Sequence, residues 1–445
     1  LALLQEVRAA VGDDFLVEIR VSGDEMTEGG MGIEETAEFC RLAEPNIDLV
    51  HCSVGLYRDP ILSNQFPSVF VPHGLNAEYG KALKRVLNVP VAVVGAINSA
   101  EQAEKMLMDG ACDFVDLGRQ LTADSEFANK AVAGCGDDIT PCVRCYKCFP
   151  GPLEGVIDDL SSLFGCTVNP REFYFDEAVL NSTPKASRKV LVIGGGIAGL
   201  QAAITAGGRG HQVTLLEKTD VLGGLLCFGD TDNVKADFGR FKDVLVRRAK
   251  NSPNVTILMN TEWTPEQVLA FGADRVIVAV GSHPSCPPIP GIAHAMQALE
   301  VYHAPRSVGE KVLMIGGGLV GCEVGLHLAR AGKKVTVVEL GSEVAPDSYP
   351  MHRIALLNEL SKAVTVQTNL RCVRITEGGA YVQRGDGPET FLAADTVIYA
   401  LGMGANEADR DRLKAVLPPE IVQVVGDCDH AGKVFDACRG AYIAA

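Results

Sequence analysis

No apolar stretch in these 445 residues approaches the roughly 18 to 20 residues that a bilayer-spanning helix requires. Basic residues are outnumbered, 40 Lys and Arg against 56 Asp and Glu, giving a net charge of -16, and no block of like charge interrupts the chain. That balance, with a pI near 5.1, argues against a phosphate-backbone partner, because nucleic-acid binders carry a basic stripe. The opening residues, LALLQEVRAAVGDD, lack a basic n-region and a small-residue cleavage site. They read as no signal peptide, and the chain as cytoplasmic. What remains is 47% apolar and 22% charged, the composition of a compact globule long enough for two or three domains.

Cysteine is the first positive feature. Fourteen are spread over a long acidic chain without a secretory start, which favours thiols and a metal centre over a disulfide framework. Cys40, Cys52, Cys112, Cys135, Cys227, Cys286, Cys322, Cys372, Cys428 and Cys438 lie in or near apolar segments and are expected mostly as inert core. The remaining four stand apart. In PCVRCYKCFPGP (residues 141–152) Cys142, Cys145 and Cys148 recur at two-residue gaps, and Cys166 follows in FGCTVNP. Structural zinc usually takes two C-x2-C pairs or a Cys/His mixture. Three closely spaced cysteines and a remote fourth are a commoner way to wrap a [4Fe-4S] cluster, the favoured reading, with zinc the competitor.

Two stretches then repeat one pattern. KVLVIGGGIAGL runs an apolar strand into Gly194, Gly196 and Gly199, a helical run follows, and the next strand ends at Glu217. KVLMIGGGLVGCEVGLHLARAGKKVTVVEL does the same with Gly316, Gly318, Gly321 and Glu339. A strand, G-x-G-x-x-G and a helix in this order form a dinucleotide fingerprint, in which the backbone approaches a pyrophosphate at the helix N-terminus and the acid bonds a ribose. Strand-then-glycine returns at 274–282, 395–404 and 421–429 suit one nucleotide domain inserted into another. VVGD, with Gly426 and Asp427, resembles the element that closes over FAD in disulfide-reductase-like folds, and on that resemblance the first fingerprint takes FAD and the second NAD(P)H. No arginine follows Glu339, which favours NADH over NADPH. VLGGLLCFGD holds only Cys227, so the redox cysteine pair of the disulfide reductases is missing there.

Residues 1–134 alternate strand and helix patterns, four βα units that predict a parallel sheet. Gly95 and Ala96 end one strand, and Gly118 and Arg119 end the next. Amides and a guanidinium so placed match the phosphate cradle after the last two strands of a (β/α)8 barrel.

The order of half-barrel, GAINSAEQAEKMLMDGACDFVDLGRQLTAD, cysteine cluster, CTVNP and paired fingerprints resembles the multidomain Old Yellow Enzyme family, which includes 2,4-dienoyl-CoA reductase, 2-enoate reductase and trimethylamine dehydrogenase. The resemblance covers essentially the whole chain. It implies an α/β fold: the C-terminal half of an FMN-binding TIM barrel (1–135), a [4Fe-4S] segment and linker (136–187), a discontinuous FAD-binding domain (188–305 and 395–445) and an inserted NADH-binding domain (306–394). With no initiator Met and only the last four barrel strands, the chain is expected to be a fragment. The resemblance puts Gly95, Ala96, Gly118 and Arg119 around the FMN phosphate, Arg20 under the flavin N1/C2 carbonyl, and Tyr57 of SVGLYRD where dienoyl-CoA reductases carry a histidine. Tyr57 could donate a proton or be a rim aromatic, whereas His51 is expected as an inner-layer residue and His73 in a loop.

The activity implied is NADH-dependent reduction of an activated C=C bond in a small molecule, an enoate, enone or enoyl thioester, with electrons passing from NADH through FAD and the cluster to FMN. Two alternatives stand beside it: an amine dehydrogenase or N-demethylase passing electrons outward, and a non-catalytic electron-transfer piece or inactive truncation. A homo-oligomer is possible, since a half-barrel leaves two sheet edges to cover.

Overall fold

A computed structural model describes residues 1–59, 61–149, 164–174, 176, 184, 186–303 and 308–445, and it divides into two compact units, Leu1–Cys145 and Tyr146–Ala445. Residues 150–163, 175, 177–183 and 185 of the segment expected at 136–187, and the boundary expected at 305/306, lie outside the described residues.

In the first unit, β1 (Glu18–Ser22), β2 (Leu49–Ser53), β3 (Val91–Val94) and β4 (Phe114–Asp116) pair in that order, all parallel. Helices Ile33–Ala43, Ala77–Lys84 and Ala100–Met108 fill the three crossovers. The last is started by Ser99, whose side chain accepts from the Gln102 amide. Alternation along the strands separates two faces. Val50, Cys52, Val91 and Val93 turn towards the helices and pack with Cys40, Ala43, Leu83 and Met106. At intervening positions of β1, β2 and β4, Glu18, Arg20, His51 and Asp116 take the opposite face, which is polar.

The second unit holds two five-stranded parallel sheets. The first runs Val422–Val424, β8 (Arg275–Val278), β5 (Lys189–Ile193), β6 (Gln212–Leu216), β7 (Val255–Leu258). Helix Ile197–Gly208 crosses from β5 to β6. Its Ala and Gly residues allow close approach, so it is buried almost throughout and packs on helix Val434–Ala444.

The second sheet runs Met296–Gln297, Thr396–Tyr399, Lys311–Ile315, Lys334–Val338, Val364–Gln367. Helix Leu319–Arg330 covers one face through Val324 and Leu328. An antiparallel sheet of Arg371–Thr376, Gly379–Gln383 and Glu389–Ala393 covers the other through Ile375, Ala380 and Val382. Thr396–Tyr399 was expected in the FAD domain but pairs with Lys311–Ile315 in this second sheet. Strand-then-glycine returns look alike in sequence, and only the long-range pairing says which sheet receives them. No helix among the described residues is long and apolar enough to cross a membrane.

Candidate dinucleotide and flavin sites

The first fingerprint gives each glycine a separate task. Gly194 turns at φ 107, and a Cβ there would lie 2.3 Å from the Ala279 carbonyl oxygen. A Cβ on Gly199 would lie 1.8 Å from the Gly194 carbonyl oxygen, so this glycine lets the helix lie against the strand. Gly196 starts the 12-residue helix, and its missing side chain opens onto the Gly224 Cα 4.0 Å away. A pyrophosphate could approach the backbone here at the positive end of the helix.

Glu217, just beyond β6, accepts from the Gly195 amide at 2.8 Å and from the Thr219 amide and hydroxyl, both at 2.8 Å. The carboxylate is thereby fixed beside the glycine turn. Gly426, at φ 69, approaches the Ala198 Cβ, and Asp427 accepts from the Ser282 hydroxyl at 2.8 Å.

The second fingerprint repeats this construction. Gly316 turns at φ 104, a Cβ on Gly321 would lie 2.0 Å from the Gly316 carbonyl oxygen, and Glu339 accepts from the Gly317 amide at 2.7 Å. Gly318 starts helix Leu319–Arg330. One difference stands out: the Asp347 carboxylate accepts from the Leu319 amide at 3.0 Å and so occupies the helix N-terminus. Past Glu339 the nearest Lys or Arg in sequence, Arg353, is bound to Glu343 at 2.8 Å.

Two clusters of polar side chains lie behind these cradles. Lys235 pairs with Glu323 on helix Leu319–Arg330, and His352 Nε2 lies 3.0 Å from the same carboxylate. Burial works to raise the Glu323 carboxyl, but the Lys235 charge and the His352 hydrogen bond outweigh it and hold it at about 2. Asp232 accepts from the Tyr302 hydroxyl at 3.3 Å and faces His327 Nδ1 at 3.5 Å. A lone acid in the apolar helical run LVGCEVGLHLA was the one sequence signal for Glu323, whereas its partners are 88 residues upstream and 29 downstream.

In the first unit, Ala96 takes a left-handed φ of 55 and its carbonyl bonds His73 Nδ1, while the Gly95 carbonyl accepts from the Gly74 amide at 2.9 Å. Gly118 has open space where a Cβ would project, and the neighbouring Arg119 guanidinium donates to the Pro67 carbonyl at 2.8 Å. A phosphate would fit that opening.

Arg20 is exposed beside His51 in register. His51 Nδ1 lies 3.0 Å from Asp116 and 3.3 Å from Glu18; burial, opposed by Asp116, lowers its pKa. Tyr57 is 68% exposed, with its ring edge-on to Phe66 at 6.5 Å.

The cysteine segment curls tightly. Arg144 and Tyr146 both take left-handed conformations, at φ 51 and 65. Within the first unit the Cys142 amide donates to Gln120 at 2.8 Å, its carbonyl accepts from Asn98 at 2.9 Å, and the buried Arg144 guanidinium donates to the Ser68 and Val71 carbonyls. Within the second unit Cys166 is buried, and Gly165 lies so close to the Phe435 ring that a Cβ would overlap it. Arg439, nearby, donates to the Glu172 carbonyl at 2.6 Å and has its pKa lowered by burial, with Cys166 opposing.

Of the cysteines expected in the core, six are buried, and burial pushes the Cys52 and Cys322 thiols up to about 12. Cys135 and Cys286 are exposed. One follows a glycine-flanked turn and the other sits in the proline-rich SCPPIP, where apolar neighbours do not mean a packed element.

Residues 1–138 match the NADH:flavin oxidoreductase / NADH oxidase family, and residues 188–418 match pyridine nucleotide-disulphide oxidoreductase. An NADH oxidase of Thermoanaerobacter brockii is 35% identical over 99% of this chain and 68% of its own length. The chain belongs to the NADH:flavin oxidoreductase / NADH oxidase family. A cinnamate reductase of Clostridium sporogenes is 30% identical over 99% of the chain and 67% of its own length. A 2-naphthoyl-CoA reductase complex superposes with a TM-score of 0.90 at 27% identity, covering 99% of this chain and 66% of that one. The chain thus spans about two thirds of the length of these relatives. Family membership makes it a flavin oxidoreductase with flavin- and NAD(P)-binding domains, in agreement with the resemblance read from its motifs.

Proposed function

We propose that this chain binds NADH, FAD, FMN and a [4Fe-4S] cluster and serves the reduction of an activated C=C bond in a small molecule. The observation that carries this is the paired cradle. Two glycine turns of the same geometry, each with an acid anchored to its middle amide, stand in one unit and call for two dinucleotides.

Gly194, Gly196, Gly199, Glu217, Gly426 and Asp427 would hold FAD; Gly316, Gly318, Gly321 and Glu339 would hold NADH. Gly95, Ala96, Gly118 and Arg119 would hold the FMN phosphate, with Arg20 supplying positive charge at the ring. The spacing of Cys142, Cys145, Cys148 and Cys166, and the left-handed turns between them, suit a cluster whose iron corners need thiolates from one curling loop and one outside strand. When bound, these groups supply hydride and single-electron transfer.

The chain's own part is to fix the carriers, to keep water from the buried Cys166, and to present Tyr57 as a candidate proton donor at an exposed rim. Reductase relatives support the C=C substrate class, cinnamate and 2-naphthoyl-CoA being named for two of them.

The test is an anaerobic titration of the flavin- and cluster-loaded full-length protein with NADH, followed by cinnamate or another enoate and by tertiary amines. Bleaching by NADH and recovery with the enoate is the expected result. Bleaching by an amine, with no response to NADH, would reverse the direction of electron flow and overturn the proposal.

A further inference from the structure

The loop that carries Cys166 closes on itself, with a cation in the closure. Its two arms meet where the Phe164 and Phe173 rings pack 5.6 Å apart. Between them the Glu172 amide donates to the Asn169 carbonyl and the Tyr174 amide to the Arg171 carbonyl, both at 3.2 Å, and Phe173 turns at a left-handed φ of 55. Helix Val434–Ala444 meets this loop through Phe435 and Arg439, which lie four residues apart on one helix face. A Cβ built on Gly165 would lie 2.4 Å from the Phe435 ring and 3.2 Å from Arg439 Nη2. The residue before Cys166 is therefore pressed against the guanidinium.

Arg439 is held from several directions. Its Nη2 donates to the Glu172 carbonyl at 2.6 Å, and the guanidinium lies 5.2 Å from the centre of the Tyr174 ring and 4.9 Å from that of Phe435. A carbonyl and two rings orient the charge without neutralising it. Phe435, Cys438, Cys166, Thr167 and Val168 are all buried, so the charge acts through packed protein, which screens it less than water would. Burial lowers the Arg439 pKa, but a guanidinium keeps its proton in proteins.

We propose that Arg439 tunes the reduction potential of the cluster bound through Cys166, holding it higher than the thiolates alone would. This rests on the reading of Cys142, Cys145, Cys148 and Cys166 as [4Fe-4S] ligands. Reduction brings one electron, supplied by NADH through FAD on the proposed route, and adds one negative charge to the site with no bond made or broken. A fixed cation beside a ligand loop favours the more negative form and so raises the potential. The net charge of -16 over the chain works the other way, which gives a local cation its purpose. Arg439 is a positioning residue in this sense, since it acts on the cluster through the Cys166 loop.

The test is an anaerobic redox titration of the full-length, cluster-reconstituted protein, with the reduced cluster followed by its electron paramagnetic resonance signal. Arg439→Gln should lower the midpoint by the equivalent of about tenfold in the reduction equilibrium, ~59 mV for one electron, with iron and sulfide content unchanged. Arg439→Met, which keeps the length of the side chain, should give the same fall. Arg439→Lys should stay closer to the unaltered protein, because charge is kept while the fork and the stacking change. A midpoint unmoved in both neutral variants, or an equal fall in the Lys variant, would overturn the tuning role and leave the cluster assignment standing. Iron retained by the Lys variant and lost from both neutral ones would make Arg439 an assembly residue and overturn it likewise. No cluster signal and no acid-labile sulfide in the unaltered protein would overturn the reading of the four cysteines, and this inference with it.

Discussion

A methyl group added at Gly199 would meet the Gly194 carbonyl, and one at Gly321 the Gly316 carbonyl. Both obstacles are backbone atoms inside a strand-helix turn, so neither can yield without moving the cradle. Gly199→Val should therefore purify with its FAD lost, while Gly321→Val should keep FAD and lose NADH binding. Flavin absorbance after gel filtration and NADH titration separate the two, and the reverse pattern would exchange the cofactor assignments. These glycines were legible in the sequence because the constraint on each is local, set by residues within a turn of the chain. The ring of His51 between Glu18 and Asp116, and the contact of Arg119 with Pro67 across 52 residues, were not legible, since no pattern along one strand reports what a neighbouring strand brings.

Between elements, the deciding groups are two carboxylates on the second nucleotide domain. Glu323→Gln leaves the Lys235 ammonium buried against a neutral amide, and breaking a buried pair from one side costs about 3–5 kcal/mol. Urea unfolding at pH 7 should register that loss. Glu323 is held at about 2 in the folded chain against an ordinary value of 4.5, so its contribution is complete above pH 4.5 and is lost as the pH falls from there towards 2. The Gln variant should lack that part of the acid slope, and an unchanged slope would sink the assignment.

Asp347 has the opposite bearing on function. Its carboxylate holds the Leu319 amide that a pyrophosphate would use, so Asp347→Asn should lower the NADH Kd by about fivefold, the equivalent of ~1 kcal/mol at a helix N-terminus. A higher Kd on fluorescence titration would instead make Asp347 part of the binding site. The second fingerprint gave no hint of Asp347, which lies 28 residues from the amide it occupies.

Across the molecule, the order of modules was readable and one edge between them was not. Glycine spacing and strand patterns each stay within about thirty residues, and they anticipated the four-stranded parallel sheet of the first unit and the two glycine-turn cradles of the second. The strand Thr396–Tyr399 changed sheets because its partner, Lys311–Ile315, lies some eighty residues earlier. The same modular division makes a prediction about electron delivery. Cys145→Ser should leave the paired nucleotide domains able to pass electrons from NADH to a soluble dye, while NADH-dependent enoate reduction disappears. Loss of dye reduction as well would mean that the cysteine segment supports the nucleotide domains themselves.

The duplicated cradle also has a metabolic side. On the proposed assignment both grooves would accept an adenosine diphosphate moiety, and they differ in the Asp347 carboxylate at one helix start and the Gly224 backbone at the other. Free ADP would then compete for the groove assigned to NADH before it could displace FAD from the other. Two copies of one cradle in one unit would in this way make both sites answer to the same small nucleotide.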